Sequence, residues 1–347
     1  MIEKRAVGFA LVGAGLGAKI HASQLAEMEQ AEAVAVYARN RERARTFADR
    51  YGIGKAYSDY REMLADEDVD AVIITTPNGL HLDFAVPAAE AGKHVVIEKP
   101  LEISMDRAER LVAACRRHNV LHSVIYQLRF GIAANRARDA IRSGQLGKVF
   151  LCDAYDKEYR EPSYYRNDAW RGTRDREGGG ALMTQSTHVI DLLQWLAGKV
   201  RSVYAKKKTA VHDIEVEDLA IAMLTFESGA LGVLQTATST YPGFKSRIEI
   251  HGENGSVIFT PEYDRMVFWR VRDSAERVDT PADFDFADVS DPHLLPFVWH
   301  RRQLQDIAEA IVEGREPSVT AEDGLAAMRI KEAIYESAEC GREVLVD

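Results

Sequence analysis

The stretch Val12-Gly13-Ala14-Gly15-Leu16-Gly17-Ala18 decides the fold. It follows the apolar run Ala6–Val12, opens a helical pattern, and fits Gly-x-Gly-x-x-Gly/Ala with Ala18 in the third place. The first glycine permits a tight turn, the second lets the backbone approach a pyrophosphate, and the third position must be small so that helix and strand pack closely. The helix start then offers unpaired N–H groups and a positive dipole end to phosphate oxygens. Glycine-rich turns are common, but one set between a strand and a helix reads as a dinucleotide site, here Gly13, Ala14, Gly15, Leu16, Gly17 and Ala18.

Outward from this turn, short apolar runs alternate with helical patterns. Strands are expected at Ala6–Val12, Ala33–Tyr37, Ala71–Thr75, His94–Ile97 and Leu121–Tyr126. Helices are expected near Ile20–Glu29, Arg41–Tyr51, Tyr60–Ala65, Leu82–Ala91 and Met105–Asn119. Alternation of this kind implies a parallel sheet covered on both faces. The apolar run after Lys4 and Arg5 is too short for a secretory signal and leads into the glycine turn, so it is read as the first strand. After residue 128 the pattern changes. One long helix, Ala181–Leu196, is followed by strand-like runs at Val200–Lys207, Ala220–Phe226, Leu231–Ala237, Ser246–His251 and Ser256–Thr260. Glu227-Ser228-Gly229 and Gly252-Glu253-Asn254-Gly255 read as hairpin turns, which join antiparallel strands. Helices return at Arg302–Glu313 and Ala321–Cys340, and Asp273–Pro292 reads as a surface excursion. The fold class is thus α/β plus α+β. It comprises an N-terminal Rossmann domain, residues 1–127, and a C-terminal domain, 128–347, built on a mostly antiparallel open sheet. The C-terminal helices are able to pack back on the first domain.

Ligands of open α/β sheets bind beyond the carboxyl ends of the strands. The second strand ends in Tyr37-Ala38-Arg39, so the acid that holds ribose hydroxyls in an NAD site is missing and an arginine suited to a 2′-phosphate follows. This places NADP slightly ahead of NAD. The third strand ends in Thr75-Thr76-Pro77-Asn78, with His81 three residues on, and the fourth in Glu98-Lys99-Pro100. Pro100 keeps Lys99 extended. An amino group there could polarise a substrate oxygen, or it could simply pair with Glu98. Farther on, Thr184, His188 and Asp191 fall at i, i+4 and i+7 on one face of an apolar helix, either as a hydrogen-bonded core feature or as part of a site.

Together Gly13-x-Gly15-x-x-Ala18-x-x-His21, Thr76-Pro77-Asn78-x-x-His81 and Glu98-Lys99-Pro100 resemble the Gfo/Idh/MocA family (glucose–fructose oxidoreductase, inositol dehydrogenase, rhizopine catabolism). The likeness continues through Arg129-Phe130, Gly144-x-Leu146-Gly147, the glycine-led helix at 178–191 and Ser337-Ala338. It implies hydride transfer between NAD(P) and a secondary alcohol of a sugar, sugar derivative or cyclitol. It makes His188 the group that takes the hydroxyl proton and Lys99 the orienting donor. It puts Trp170 and Arg171 on the cofactor side, with the strand-end residues Thr75, Thr76, Pro77, Asn78, His81, Glu98 and Lys99, and makes Thr184 a hydrogen-bonding partner for the substrate. Tyr155 and Tyr165 lie in the stretch expected to wall the substrate pocket and could equally be packing, and Arg129 could face that pocket or bridge the domains. Where the family usually carries Asp, this chain has Thr184, which can hydrogen-bond but cannot act as a carboxylate base. A homo-oligomer, dimer or tetramer, is implied through the sheet. Two other readings use the same fold. In one, a tightly held cofactor oxidises a sugar transiently, permits elimination and reduces the product again. In the other, the chain is a non-catalytic dinucleotide sensor, which would have little need of both Lys99 and His188.

Bulk properties narrow the partners. The 347 residues carry a net charge of −10 and no long basic run, which argues against nucleic acid. No apolar stretch is long enough to span a bilayer. The three cysteines, Cys115, Cys152 and Cys340, are scattered and fit no disulfide framework or zinc spacing. A cytoplasmic protein without a metal is the expectation.

Overall fold

The computed structural model describes residues 5–279 and 297–346, in two compact units. The first takes residues up to Gln127 together with Phe297–Leu325. Its elements are β1 (Val7–Val12), α1 (Leu16–Leu25), β2 (Ala31–Tyr37), α2 (Arg41–Tyr51), β3 (Lys55–Tyr57), α3 (Tyr60–Leu64), β4 (Ala71–Ile74), α4 (His81–Glu90), β5 (His94–Ile97), α5 (Met105–Arg117) and β6 (His122–Val124). The strands form one parallel sheet in the order β3-β2-β1-β4-β5-β6. β1 and β4 are buried along their whole lengths, as strands covered on both faces must be. Local chemistry sets the helix starts: Asn40, Asp59 and Ser104 cap α2, α3 and α5 by accepting backbone N–H bonds. The core gathers Phe9, Leu11, Leu25, Val36, Phe47, Ile73 and Val96 with Leu304 and Ile307 from a later helix.

The second unit begins at Leu128. It contains α6 (Ile132–Arg142), β7 (Val149–Lys157), α7 (Pro162–Arg166), α8 (Thr187–Ala197), β8 (Val200–Lys208), β9 (Leu219–Phe226), β10 (Leu231–Ala237), β11 (Arg247–Gly252), β12 (Gly255–Thr260), β13 (Arg265–Val271) and β14 (Arg277–Asp279). The helix α9 (Val298–Glu313) belongs to the first unit, α10 (Ala321–Cys340) starts in the first and continues in the second, and β15 (Val344–Leu345) closes the second sheet. That sheet runs β14-β13-β12-β11-β7-β10-β9-β8-β15. All its pairs are antiparallel except β10 with β7. Both expected hairpins occur, β9–β10 and β11–β12.

Three readings of the sequence need correction. The helix after the glycine turn starts at Leu16, four residues earlier than its apolar pattern shows. The strand β7 was missed, although it sits at the centre of the second sheet. The long helix at Ala181–Leu196 is not one helix: a widened turn at Ala181–Gln185, where Ser186 N–H bonds to the Ala181 carbonyl at 3.0 Å, precedes α8. Such i→i+5 turns recur at functional sites. The expected surface excursion at Asp273–Pro292 lies outside the described residues from 280 to 292.

Candidate active site

In the first unit the strand order reverses between β1 and β4. Loops after both strands flank this switch point, where doubly wound sheets bind ligands. Gly13 has φ +116°, and a Cβ there would stand 2.7 Å from Thr75 Oγ1, which itself donates to the Val12 carbonyl at 3.0 Å. A Cβ on Gly15 would meet nothing within 4 Å, so the space in front of it is open. Ala18 is fully buried. Among the described residues no side chain caps α1, and its first turn holds no acid. A helix start of this kind suits an anion, and the turn fits a dinucleotide pyrophosphate. Arg39 is exposed behind the buried Ala38. Arg43, which sequence reasoning missed, reaches back to the Ala14 carbonyl at 3.2 Å. Its spacing of four from Arg39, across the cap residue Asn40, was the available signal.

Beyond β4 and β5, Thr75, Thr76 and Pro77 are half-buried and Asn78 is buried. His81, expected at the cofactor, is wholly buried. Its Nδ1 lies 3.0 Å from the Pro100 carbonyl and 3.2 Å from that of Leu101, and its Nε2 lies 3.1 Å from that of Thr76. It ties the two strand-end loops together and has no surface to offer a ligand. Glu98, beside the half-buried Lys99, accepts from Lys99 N–H at 3.1 Å and meets His21 Nε2 at 2.6 Å. Burial opposes its charge, but the His21 bond and the charges of His21, His300 and Lys99 hold it down at about 2. The neighbouring His300, whose ring centre is 5.7 Å from that of His21, is pushed down to about 3, by burial first and then by His21.

Both shifts make the fold sensitive to acid. The unfolded chain takes up a proton at His300 near 6.5, whereas the folded one resists until about 3, so this stability is present above 6.5 and drains away below it. Glu98 adds the same sign between 4.5 and about 2. Stability should therefore fall by about 1.4 kcal/mol per pH unit below pH 6.5 through His300. Urea midpoints of wild type and His300→Phe, compared between pH 7.5 and 5, check this. Parallel curves for the two proteins would exclude His300 as the cause.

In the second unit the start of α8 is built by long-range contacts. Glu217 Oε1 accepts from the amides of Gly180 and Leu182, each at 3.0 Å, and from the Tyr335 hydroxyl at 3.0 Å. The fully buried Lys331 donates to the Met183 carbonyl at 3.2 Å and to Thr187 Oγ1 at 2.6 Å, bracing the widened turn. Neither residue carries a local sequence signal. Thr184 is buried and donates to Glu177 Oε1 at 3.1 Å. His188 is half-buried in the first turn of α8. Asp191, expected on one face with Thr184 and His188, pairs with Arg129, which donates to its two oxygens at 2.8 and 2.5 Å.

That pairing corrects Arg129, expected at the substrate: it is only 7% exposed and its guanidinium is consumed by Asp191. Tyr155, also expected there, is corrected by strand alternation. Cys152, Ala154 and Asp156 turn to the buried face of β7, against which α8 packs. Tyr155 faces the other side, its ring beneath Lys157 and Arg247. Tyr165 is half-buried and bonds through its hydroxyl to Thr238 at 2.8 Å. Arg171 lies over the rings of Tyr164 at 4.0 Å and Trp170 at 4.7 Å, and pairs with Asp168 at 3.0 Å. Gln185 also reaches the Tyr164 hydroxyl, at 3.2 Å.

Among the described residues no cluster of three metal-ligating side chains occurs and no helix is long and apolar enough to cross a membrane. Comparison with known proteins agrees with the architecture. The model described as "Oxidoreductase family, NAD-binding Rossmann fold" matches residues 7–126, and that of the "GFO/IDH/MocA C-terminal domain" matches residues 134–258. The D-xylose 1-dehydrogenase (NADP(+)) 2 of Haloferax volcanii is 30% identical over 98% of this chain and 99% of its own. The levoglucosan dehydrogenase of Pseudarthrobacter phenanthrenivorans is 29% identical over 86% of this chain and 85% of its own. Among solved structures, the WlbA dehydrogenase of Bordetella pertussis in complex with NADH and UDP-GlcNAcA superposes with a TM-score of 0.88 at 30% identity, covering 100% of this chain and 99% of that one.

Proposed function

The chain belongs to the Gfo/Idh/MocA family of NAD-binding oxidoreductases, and on that premise we propose that it transfers hydride between NAD(P) and a secondary hydroxyl or ketone of a sugar, sugar derivative or cyclitol. The observation that carries the reading is Lys99, just past the carboxyl end of β5 and beside Glu98, whose side chain would lie 3.5 Å from a Cβ on Gly17 of the glycine turn. When bound, the nicotinamide supplies the carbon that accepts or returns hydride. Lys99 donates to the reacting oxygen and steadies its developing charge. His188 takes the hydroxyl proton in oxidation and returns it in reduction, a task suited to an imidazole. Tyr164 and Tyr165 present aromatic faces with polar tips, which suit a polyhydroxylated ring. The test is dinucleotide titration of the purified protein, then a turnover screen with D-xylose, levoglucosan and myo-inositol. Failure to bind either dinucleotide would remove the reading.

The cofactor preferred is NADP. No acid stands at Ala38, while Arg39 is exposed and Arg43 sits against the glycine turn. Arg39→Ala should weaken NADP by about 10-fold or more and leave NAD within about 2-fold, a difference expected of a lost charge-assisted phosphate contact. Equal losses would show that Arg39 does not read the 2′-phosphate.

The substrate-side unit is also read as the assembly unit. On the open face of its sheet Ile221, Met223 and Leu231 are 44%, 58% and 57% exposed, an apolar stripe on neighbouring strands. A second copy of the chain is the proposed cover. Light scattering should give an oligomer for wild type and a smaller species for Met223→Glu; a wild-type monomer at micromolar concentration would end this proposal.

A further inference from the structure

Three buried carboxylates surround the start of α8. Asp191 is paired with Arg129, and Glu217 receives the amides of Gly180 and Leu182. Glu177, 1% exposed, is the one bonded to Thr184: its Oε1 accepts from the Thr184 hydroxyl at 3.1 Å. Its other oxygen accepts the N–H of Gly172, at a turn with φ +72° where a Cβ would strike Ile214. A hydroxyl has one proton and two lone pairs, and an ionised carboxylate only accepts. A Thr184 that gives its proton to Glu177 has acceptor capacity left for any further partner.

We propose that Glu177 is a positioning residue that sets the hydrogen-bond polarity of Thr184, so that Thr184 meets the substrate as an acceptor and selects a molecule that presents a donating hydroxyl there. The proposal rests on the reading of His188 and its helix as the substrate-side machinery. It makes Glu177, through Thr184, a determinant of which sugar is taken.

The decisive variant is Glu177→Gln. Gly172 N–H demands an acceptor, so the amide must turn its carbonyl toward Gly172 and its NH₂ toward Thr184. The NH₂ then donates to Thr184 Oγ1, and the threonine proton is released outward. Shape is kept while polarity reverses. The groups facing Glu177 are Gly172, Thr184, Arg171, Glu217, Tyr164, Tyr165 and Tyr335. Burial raises its carboxyl above the ordinary range, and the bonds from Gly172 and Thr184 pull it back.

The experiment takes whichever of D-xylose, levoglucosan and myo-inositol is turned over best and compares it with its deoxyfluoro analogues, which cannot donate at the altered carbon. Wild type should prefer the hydroxyl at one non-reacting carbon by about 10–100-fold in kcat/KM, mainly through KM. Glu177→Gln should bring that ratio close to one. Thr184→Val should abolish it, and adding Glu177→Gln to Thr184→Val should change nothing further. Thr184→Ser should restore it. A wild-type ratio in Glu177→Gln, or the same shift in the Thr184→Val background, overturns the proposal. A second readout needs no substrate: the ¹³C carboxyl resonance assigned by its loss in Glu177→Gln should titrate at higher pH in Thr184→Val, and an unmoved midpoint also overturns it. If no sugar is turned over, the functional reading fails and the selectivity claim falls with it, whereas the Glu177–Thr184 bond is judged separately by the titration.

Discussion

Replacing His188 by alanine should lower turnover by about 10²–10⁴-fold, the range expected for loss of a positioned general acid–base group. Dinucleotide affinity should stay within about 2-fold, because the turn proposed to hold the phosphates lies between β1 and α1, and His188 belongs to α8. The loss should fall on kcat more than on KM if the imidazole acts only as the proton moves. Stopped-flow reduction of NAD(P), with affinity read by fluorescence titration, measures both. Lys99→Ala should cost a similar amount, and Lys99→Arg should not restore it, since a planar fork cannot replace a compact amino group at one oxygen. Unchanged turnover in His188→Ala would take proton transfer away from that residue and leave Lys99 as the candidate.

The second large effect separates two glycines that look alike in the sequence. A Cβ on Gly180 would stand 1.8 Å from the backbone carbonyl oxygen of Glu217, an atom that cannot step aside without dragging its chain. That same carbonyl accepts from Ala181 N–H at 3.0 Å. Gly180→Ala should destabilise the protein by about 3 kcal/mol or more, the scale of overpacking against backbone. Gly15→Ala should do the opposite. Its Cβ has open space in the structure, so the urea midpoint should hardly move. Dinucleotide binding should nevertheless drop by at least about 10-fold, because the methyl would occupy the approach of the pyrophosphate. Paired denaturation curves and titrations decide the matter. A stable Gly180→Ala, or a Gly15→Ala that binds normally, would contradict the roles drawn from the geometry.

The contrast between these glycines marks what a linear reading can reach. Gly13, Gly15 and Ala18 were legible because every element they need is within a few residues: a strand before, a helix after, and spacing set by the turn. The strands Val7–Val12, Ala71–Ile74 and His94–Ile97 were legible as short, almost unbroken apolar runs. Gly180 was seen only as the lead into a helix. Its constraint comes from Glu217, thirty-seven positions away, as does the capping of Gly180 N–H by that side chain. The strand β7 was overlooked because Asp156 puts a carboxylate on its buried face, in line with Cys152 and Ala154.

The sequence by itself determined the nucleotide-binding half: the glycine turn, the alternation of strand and helix, the missing acid before Arg39, and the placing of Lys99 at a strand end. These depend on local spacing and on the burial of apolar runs, which act over one or two turns of chain. Only the tertiary structure decided the chemistry around Thr184 and His188. It widened the turn before α8, sent Asp191 to Arg129, set His81 between backbone carbonyls, turned Tyr155 to the open face of the sheet and gave Thr184 to Glu177. Each of these is a choice among polar partners. A buried donor or acceptor must be satisfied by whatever the fold brings within about 3 Å, and residue type and spacing alone do not say which group that is.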